Sequence, residues 1–122
     1  MVTLRIKAGP VSALARLNDT ATAKAVLQAL PFQGKANTWG NEIYFSIPVS
    51  MGEEDPKEVV QPGDIAFWPP GKSFCIFWGP TPASRGNEIR PASPVNVIGQ
   101  VLGDPTVFEN VPSGALIEVD RA

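Results

Sequence analysis

The chain contains no histidine and a single cysteine, Cys75, among its 122 residues. Without histidine, the side chain that ordinarily titrates near neutrality is missing. With it go the usual general base, a Ser-His-Asp triad and most transition-metal sites. One cysteine excludes an intrachain disulfide framework and a thiolate zinc site, and makes a cytoplasmic setting the expected one. Long apolar runs are missing as well. Nothing approaches the roughly 18 consecutive apolar residues of a membrane helix, so no membrane partner is expected. The opening "MVTLRIKAGP" places Arg5 and Lys7 among its apolar residues, unlike the core of a signal peptide. Basic residues are scattered singly and the net charge is −2, which leaves no electrostatic footprint for DNA or RNA. Glycine-rich phosphate loops are absent. The acidic "GEEDPKE" over 52–58 lacks the ligand spacing of an EF-hand and reads as a solvated loop. No metal and no cofactor is expected.

What is present describes a globular chain. Hydrophobic residues make up 43% and charged residues 18%, a balance that argues against disorder and for one domain over residues 1–122. A chain of this size buries roughly two-thirds of its unfolded surface. "VTLRIKA" alternates Val2, Leu4 and Ile6 with polar residues, and "VSALARL" repeats the alternation after the Gly9-Pro10 turn. Asn18 or Asp19 is placed to cap a helix, "TATAKAVLQAL", whose Ala23, Val26, Leu27 and Leu30 form one apolar stripe ended by Pro31. Further strands follow, with a short helix near "DPTVFENV" and a last strand in "GALIEVD". Short, closely spaced strand signals with only two helices predict a mainly β fold: a closed, eight-stranded β-barrel with two short helices.

The stretch "GDIAFWPPGKSFCIFWGPTP", 63–82, raises the question of whether it is a site or a core. "QPGD" and "PPGK" both place Pro then Gly at central turn positions, which predicts two type II turns. Between and after them both faces are apolar: Ile65 and Phe67 against Ala66 and Trp68, then Phe74, Ile76 and Trp78 against Cys75 and Phe77. A strand with one wet face does not read that way, so a covering element is expected over this part of the barrel. Cys75 is expected to be packed rather than reactive.

"TWGNEIYFSIPV", "VVQPGDIAFWPPGKSFCIFWGPTPAS" and "PVNVIGQVLGD" resemble the small cyclophilin-like proteins of bacteria and archaea, and the resemblance runs over nearly the whole chain. It implies the eight-stranded cyclophilin-like barrel capped by two helices, in a family without an established biochemical function. It brings no catalytic residues with it. True cyclophilins use an arginine in an FHR-type motif, a histidine and a GSQFF-type strand. Here the nearest stretches are "LPFQGKAN" and "GKSFCIF", and residues 17–84 contain no arginine. Lys35 lacks the planar fork of donors that an arginine brings to a prolyl group. Classical proline isomerase activity is therefore not expected.

One face is a candidate binding site. Gly40-Asn41 reads as a two-residue hairpin turn. Its register pairs Trp39 with Glu42, Thr38 with Ile43, Asn37 with Tyr44, Ala36 with Phe45 and Lys35 with Ser46. Period two then sends Thr38, Ile43, Ala36 and Phe45 inward, while Lys35, Asn37, Trp39, Glu42, Tyr44 and Ser46 share the outer face. A tryptophan beside a tyrosine, with a carboxylate, an amide and an ammonium around them, suits a small polar ligand. Trp39 and Tyr44 packed under a loop, with Lys35 and Glu42 merely solvated, is the plainer alternative. In the cyclophilin fold, the resemblance implies, the corresponding strands carry the ligand groove. The proline-stiffened segment 79–94 is long enough to wall it, and its Arg85 and Arg90 are candidates for holding an anionic group.

The expected function is thus binding of a small molecule or an extended peptide on the outer barrel face. Two alternatives stand beside it. One is a divergent peptidyl-prolyl isomerase in which Lys35 or Arg85 replaces the missing arginine. The other is a structural or protein-interaction module, which an apolar surface patch of several hundred Å2 would mark.

Overall fold

The computed structural model describes residues 2–122. Strands β1 (Thr3–Ala8) and β2 (Val11–Leu17) form a hairpin, and helix α1 (Ala21–Ala29) follows. Then come β3 (Phe32–Lys35), β4 (Asn37–Thr38), β5 (Glu42–Ser46), β6 (Asp64–Trp68), β7 (Ser73–Phe77), β8 (Asn96–Leu102) and β9 (Leu116–Arg121). The second helix is a 3-10 helix over Pro105–Asn110, started by Asp104, whose carboxylate accepts from the Thr106 amide at 2.9 Å.

All strands belong to one antiparallel sheet in the order β3-β9-β1-β2-β8-β6-β7-β5-β4. Its two ends are the same piece of chain. Residues 32–35 pair with β9, the run is interrupted at Ala36, and residues 37–38 pair with β5. Counted as one bent strand, β3–β4 joins the two edges, so the sheet is a nearly closed barrel. The expected eight strands and the nine observed differ only in this count. Gly34 sits where β3 crosses β5, and a Cβ there would stand 2.8 Å from the Phe45 ring.

Ala36 also marks a correction. The expected pairs Ala36–Phe45 and Lys35–Ser46 do not form, because the Ala36 amide donates to the Ala115 carbonyl at 2.8 Å and the chain turns toward β9. Lys35 faces Leu116 across the ladder instead. Within the barrel, Leu4, Ile6, Phe45, Phe67, Phe74 and Ile98 are fully buried. Phe32, Phe45 and Phe74 meet with ring centroids 5.7 to 5.9 Å apart, in tilted to edge-on geometry.

Three local expectations change. Helix α1 is capped by Thr20, whose hydroxyl accepts from the Ala23 amide at 3.1 Å, rather than by Asn18 or Asp19. Asn18 acts one step back, its side-chain oxygen taking the Thr20 hydroxyl at 2.8 Å. The acidic loop is not wholly solvated. Glu54 reaches the α1 N-terminus, where it accepts from the amides of Ala21 at 3.0 Å and Thr22 at 2.8 Å and from the Thr22 hydroxyl. Finally, "QPGD" forms the expected turn, with Gly63 at φ +87 and the Asp64 amide on the Gln61 carbonyl at 3.0 Å. "PPGK" does not: Pro69–Gly71 is a 3-10 turn and the left-handed residue is Lys72. Gly71 packs so close to the Trp68 ring that a Cβ would lie 2.6 Å from it, so glycine is needed there for space.

Among the described residues no helix is long and apolar enough to cross a membrane.

Candidate functional site

The β4–β5 hairpin has the expected turn. Gly40 takes φ +60 at the first central position, the Trp39 amide donates to the Glu42 carbonyl at 3.0 Å, and Asn37 faces Tyr44 while Thr38 faces Ile43. Ile43 and Phe45 point into the barrel and are buried. Thr38, expected inside, is exposed, because β4 is a two-residue strand at the end of the sheet.

On the opposite face, strand pairing extends the hairpin into a platform. β5 pairs with β7, which sets Glu42 against Phe77 and Tyr44 against Cys75. β6 lies on the other side of β7, with Ala66 against Cys75 and Trp68 against Ser73. Both faces of this hairpin are buried, as its apolar alternation requires. The outer one is covered by Val60, Ile89 and Val95 from the loops, which pack with Ala66, Cys75 and Phe77 in a second apolar cluster.

The cover does not fill the platform completely. A cavity of about 250 Å3 remains, floored by Glu42, Tyr44 and Cys75 and flanked by Trp39 and Trp68. Pro91, Ala92 and Val95 form its roof. The Trp68 indole is fixed by a 2.7 Å hydrogen bond from Nε1 to the Ser93 hydroxyl in the covering segment. That segment is stapled by buried Thr81. Its amide donates to the Ser84 hydroxyl at 2.9 Å and its own hydroxyl donates to the Arg90 carbonyl. Gly40 lies directly beneath it, where a Cβ would stand 2.9 Å from the Thr81 backbone.

Glu42 is the polar centre of the cavity. The residue is 6% exposed, and among the described residues no cation forms an ion pair with it. Burial pushes its carboxyl up to about 7, while a hydrogen bond with Cys75 pulls the other way. The Cys75 thiol, also within 3.7 Å of the Ser73 carbonyl, is pushed well above its ordinary range by burial first and by Glu42 second. It is therefore no ready nucleophile. The cavity offers one carboxyl that exchanges a proton near neutrality, one phenol and aromatic faces.

Of the residues singled out from the sequence, Trp39, Glu42 and Tyr44 line the cavity together. Lys35 and Asn37 are exposed and lie outside its lining, with the Asn37 amide donating to the Tyr44 carbonyl at 3.2 Å. Ser46 is exposed and donates to the Gly71 carbonyl at 3.3 Å. Arg85 is exposed, outside the cavity lining. Arg90 is engaged by Glu88, with Nε at 2.6 Å, and stands 4.0 Å from Glu58. Trp68, Cys75, Pro91, Ala92 and Val95 complete the cavity and are not among the site residues expected from the sequence. The available signal was the doubly apolar hairpin, which shows that a cover exists without saying where it leaves a gap. Among the described residues no three acidic or cysteine side chains gather as a metal site would require.

A family model described as "Cyclophilin-like" matches residues 2–120. The solution structure of the hypothetical protein AF2241 from Archaeoglobus fulgidus is similar over 99% of this chain and 95% of that one, at 39% sequence identity and a TM-score of 0.84. No curated protein matches the chain.

Proposed function

Since this chain belongs to the cyclophilin-like family, we propose that it is a binding module whose ligand is a small molecule held in the cavity over β5 and β7. One observation carries this reading: a buried carboxyl without a cationic partner faces an unfilled space between two tryptophans and a tyrosine. Cores seldom leave such a group unpaired, because an unpaired buried charge is costly. A pocket with few polar groups among aromatic walls is the usual form of a small-ligand site.

Isomerisation is the weaker reading. No arginine lines the cavity, and Arg90, the nearest in sequence to its roof, is already held by Glu88. An interaction module has less support still. Among the described residues the exposed large apolar side chains are Leu14, Val59, Leu102 and Leu116, and only Leu14 and Leu102 face each other across a ladder. The lone cysteine keeps a cytoplasmic setting part of the proposal.

Trp39→Ala tests it. The variant should lose all thermal stabilisation by small-molecule ligands, while its stability without ligand stays within about 1 kcal/mol of the parent. Unfolding of the barrel by this change would make Trp39 structural and remove the site. Proline-peptide exchange spectra should show no acceleration of cis–trans interconversion by the protein.

A further inference from the structure

The cavity has a chemical bias that narrows its ligand, on the reading that it takes one. Three aromatic side chains, Trp39, Tyr44 and Trp68, border it. Aromatic faces carry negative charge density and attract cations, most strongly when water is excluded. The Trp68 indole is held in place by Ser93, so that face is already oriented before a ligand arrives, while the hairpin turn sets the backbone position of Trp39. At the floor stands Glu42, nine-tenths buried and unpaired by any cation among the described residues.

None of the described residues that line the cavity is basic: Arg90, next to Pro91, is held by Glu88, and Lys57, bridged to Val95, is paired with Asp55. The turn after β4 presents Trp39, β5 itself presents Tyr44, β6 presents Ala66 and Trp68, and β7 presents Cys75 and Phe77. The roof presents Pro91, Ala92 and Val95. None of these side chains can become a cation, the phenol of Tyr44 and the thiol of Cys75 included. An anion placed here would meet Glu42 with nothing to offset the repulsion. A wholly apolar ligand would bury the carboxyl further and leave it without a countercharge.

We infer that the cavity selects a small organic cation, an alkylated ammonium of one positive charge, seated among Trp39, Tyr44 and Trp68 with its charge against Glu42. The volume of about 250 Å3 limits the ligand to a few heavy atoms around the charge. Binding of such a cation favours the ionised carboxyl, which burial, offset in part by the Cys75 hydrogen bond, holds at about 7, so a proton leaves as the cation enters. Affinity therefore rises with pH through neutrality.

The test uses tetramethylammonium, choline and the neutral alcohol in which a tert-butyl group replaces choline's trimethylammonium. Binding is followed on the indole N–H signals of Trp39 and Trp68 in the whole protein. At about pH 8 choline should bind at least tenfold more tightly than the alcohol, and its affinity should fall about tenfold by about pH 6. Glu42→Gln should remove the pH dependence and most of the preference for charge, while keeping the alcohol's weak binding. Equal affinity for choline and alcohol, or a choline affinity flat across that pH range, overturns the inference. So does silence toward both cations. If other, uncharged fragments then move the two indoles, the cavity remains a ligand site and only its charge preference is withdrawn. If no fragment moves them, both readings fall.

Discussion

At the scale of single residues, Glu42 dominates. Its register position opposite Phe77 places a carboxyl on a face that the loops then cover, so burial raises it from 4.5 to about 7. The sign of the consequence follows directly. Below pH 4.5 the group is protonated in both folded and unfolded chains and has no differential effect. As pH rises toward 7 the unfolded chain ionises freely while the folded one resists, so stability is lost over that interval and is flat above it. Removing the titration with Glu42→Gln should therefore leave stability near that of the parent at low pH and raise it by about 3 kcal/mol at pH 8. Denaturant titrations of both proteins at the two pH values check this. Identical pH dependence in the two would mean that Glu42 is hydrated. The sequence gives away the residue and its face through Gly40-Asn41 and period two, since both are local. Its burial depends on Pro91, Ala92 and Val95, about fifty positions away, and is not readable from alternation.

Among elements, the joint between α1, the acidic loop and β8 is the least expected and the most consequential for the cover. Asn96, 1% exposed at the start of β8, donates to the Gly52 carbonyl at 2.9 Å and the Thr22 hydroxyl at 3.2 Å, and accepts from the Glu54 amide at 2.9 Å. Glu54 in turn caps the first turn of α1. One buried amide thus holds a helix start and a loop to the strand that follows the cavity roof. Asn96→Ala leaves several buried polar groups without partners and should destabilise the fold by about 2–4 kcal/mol, measured by chemical denaturation. A loss under about 0.5 kcal/mol would show that the joint is dispensable. The contacts of Gly52 and Glu54 with Asn96 and α1 leave no mark in "GEEDPKE", which carries the charge of a solvated loop. The capping of α1 was legible to within two residues, because Asn18, Asp19 and Thr20 are all capping types and only the geometry chooses Thr20. The turn at "PPGK" departs from expectation for the same kind of reason: the Trp68 ring, not the turn chemistry, decides what Gly71 is for.

For the whole molecule, closure of the barrel rests on one run of chain, 32–38, that serves β9 with its first half and β5 with its second. Alternating strands foretell a barrel, and the resemblance foretells which one. Neither foretells that the run switches partners at Ala36, because strand pairing between distant segments leaves no local mark. That switch matters for the site: it frees Lys35 from the hairpin face and leaves Glu42 without the ammonium expected near it. The three tryptophans then divide the molecule into two sides. Trp39 and Trp68 border the cavity, whereas Trp78 packs in the barrel core with its ring centroid 6.3 Å from that of Phe108. The most direct test follows the three indole N–H resonances of the labelled protein through titration with a library of small charged and neutral molecules. Saturable movement of the Trp39 and Trp68 signals, with Trp78 unmoved, is the predicted result. Stillness of all three with every compound, or equal movement of all three, would contradict a ligand site in this cavity.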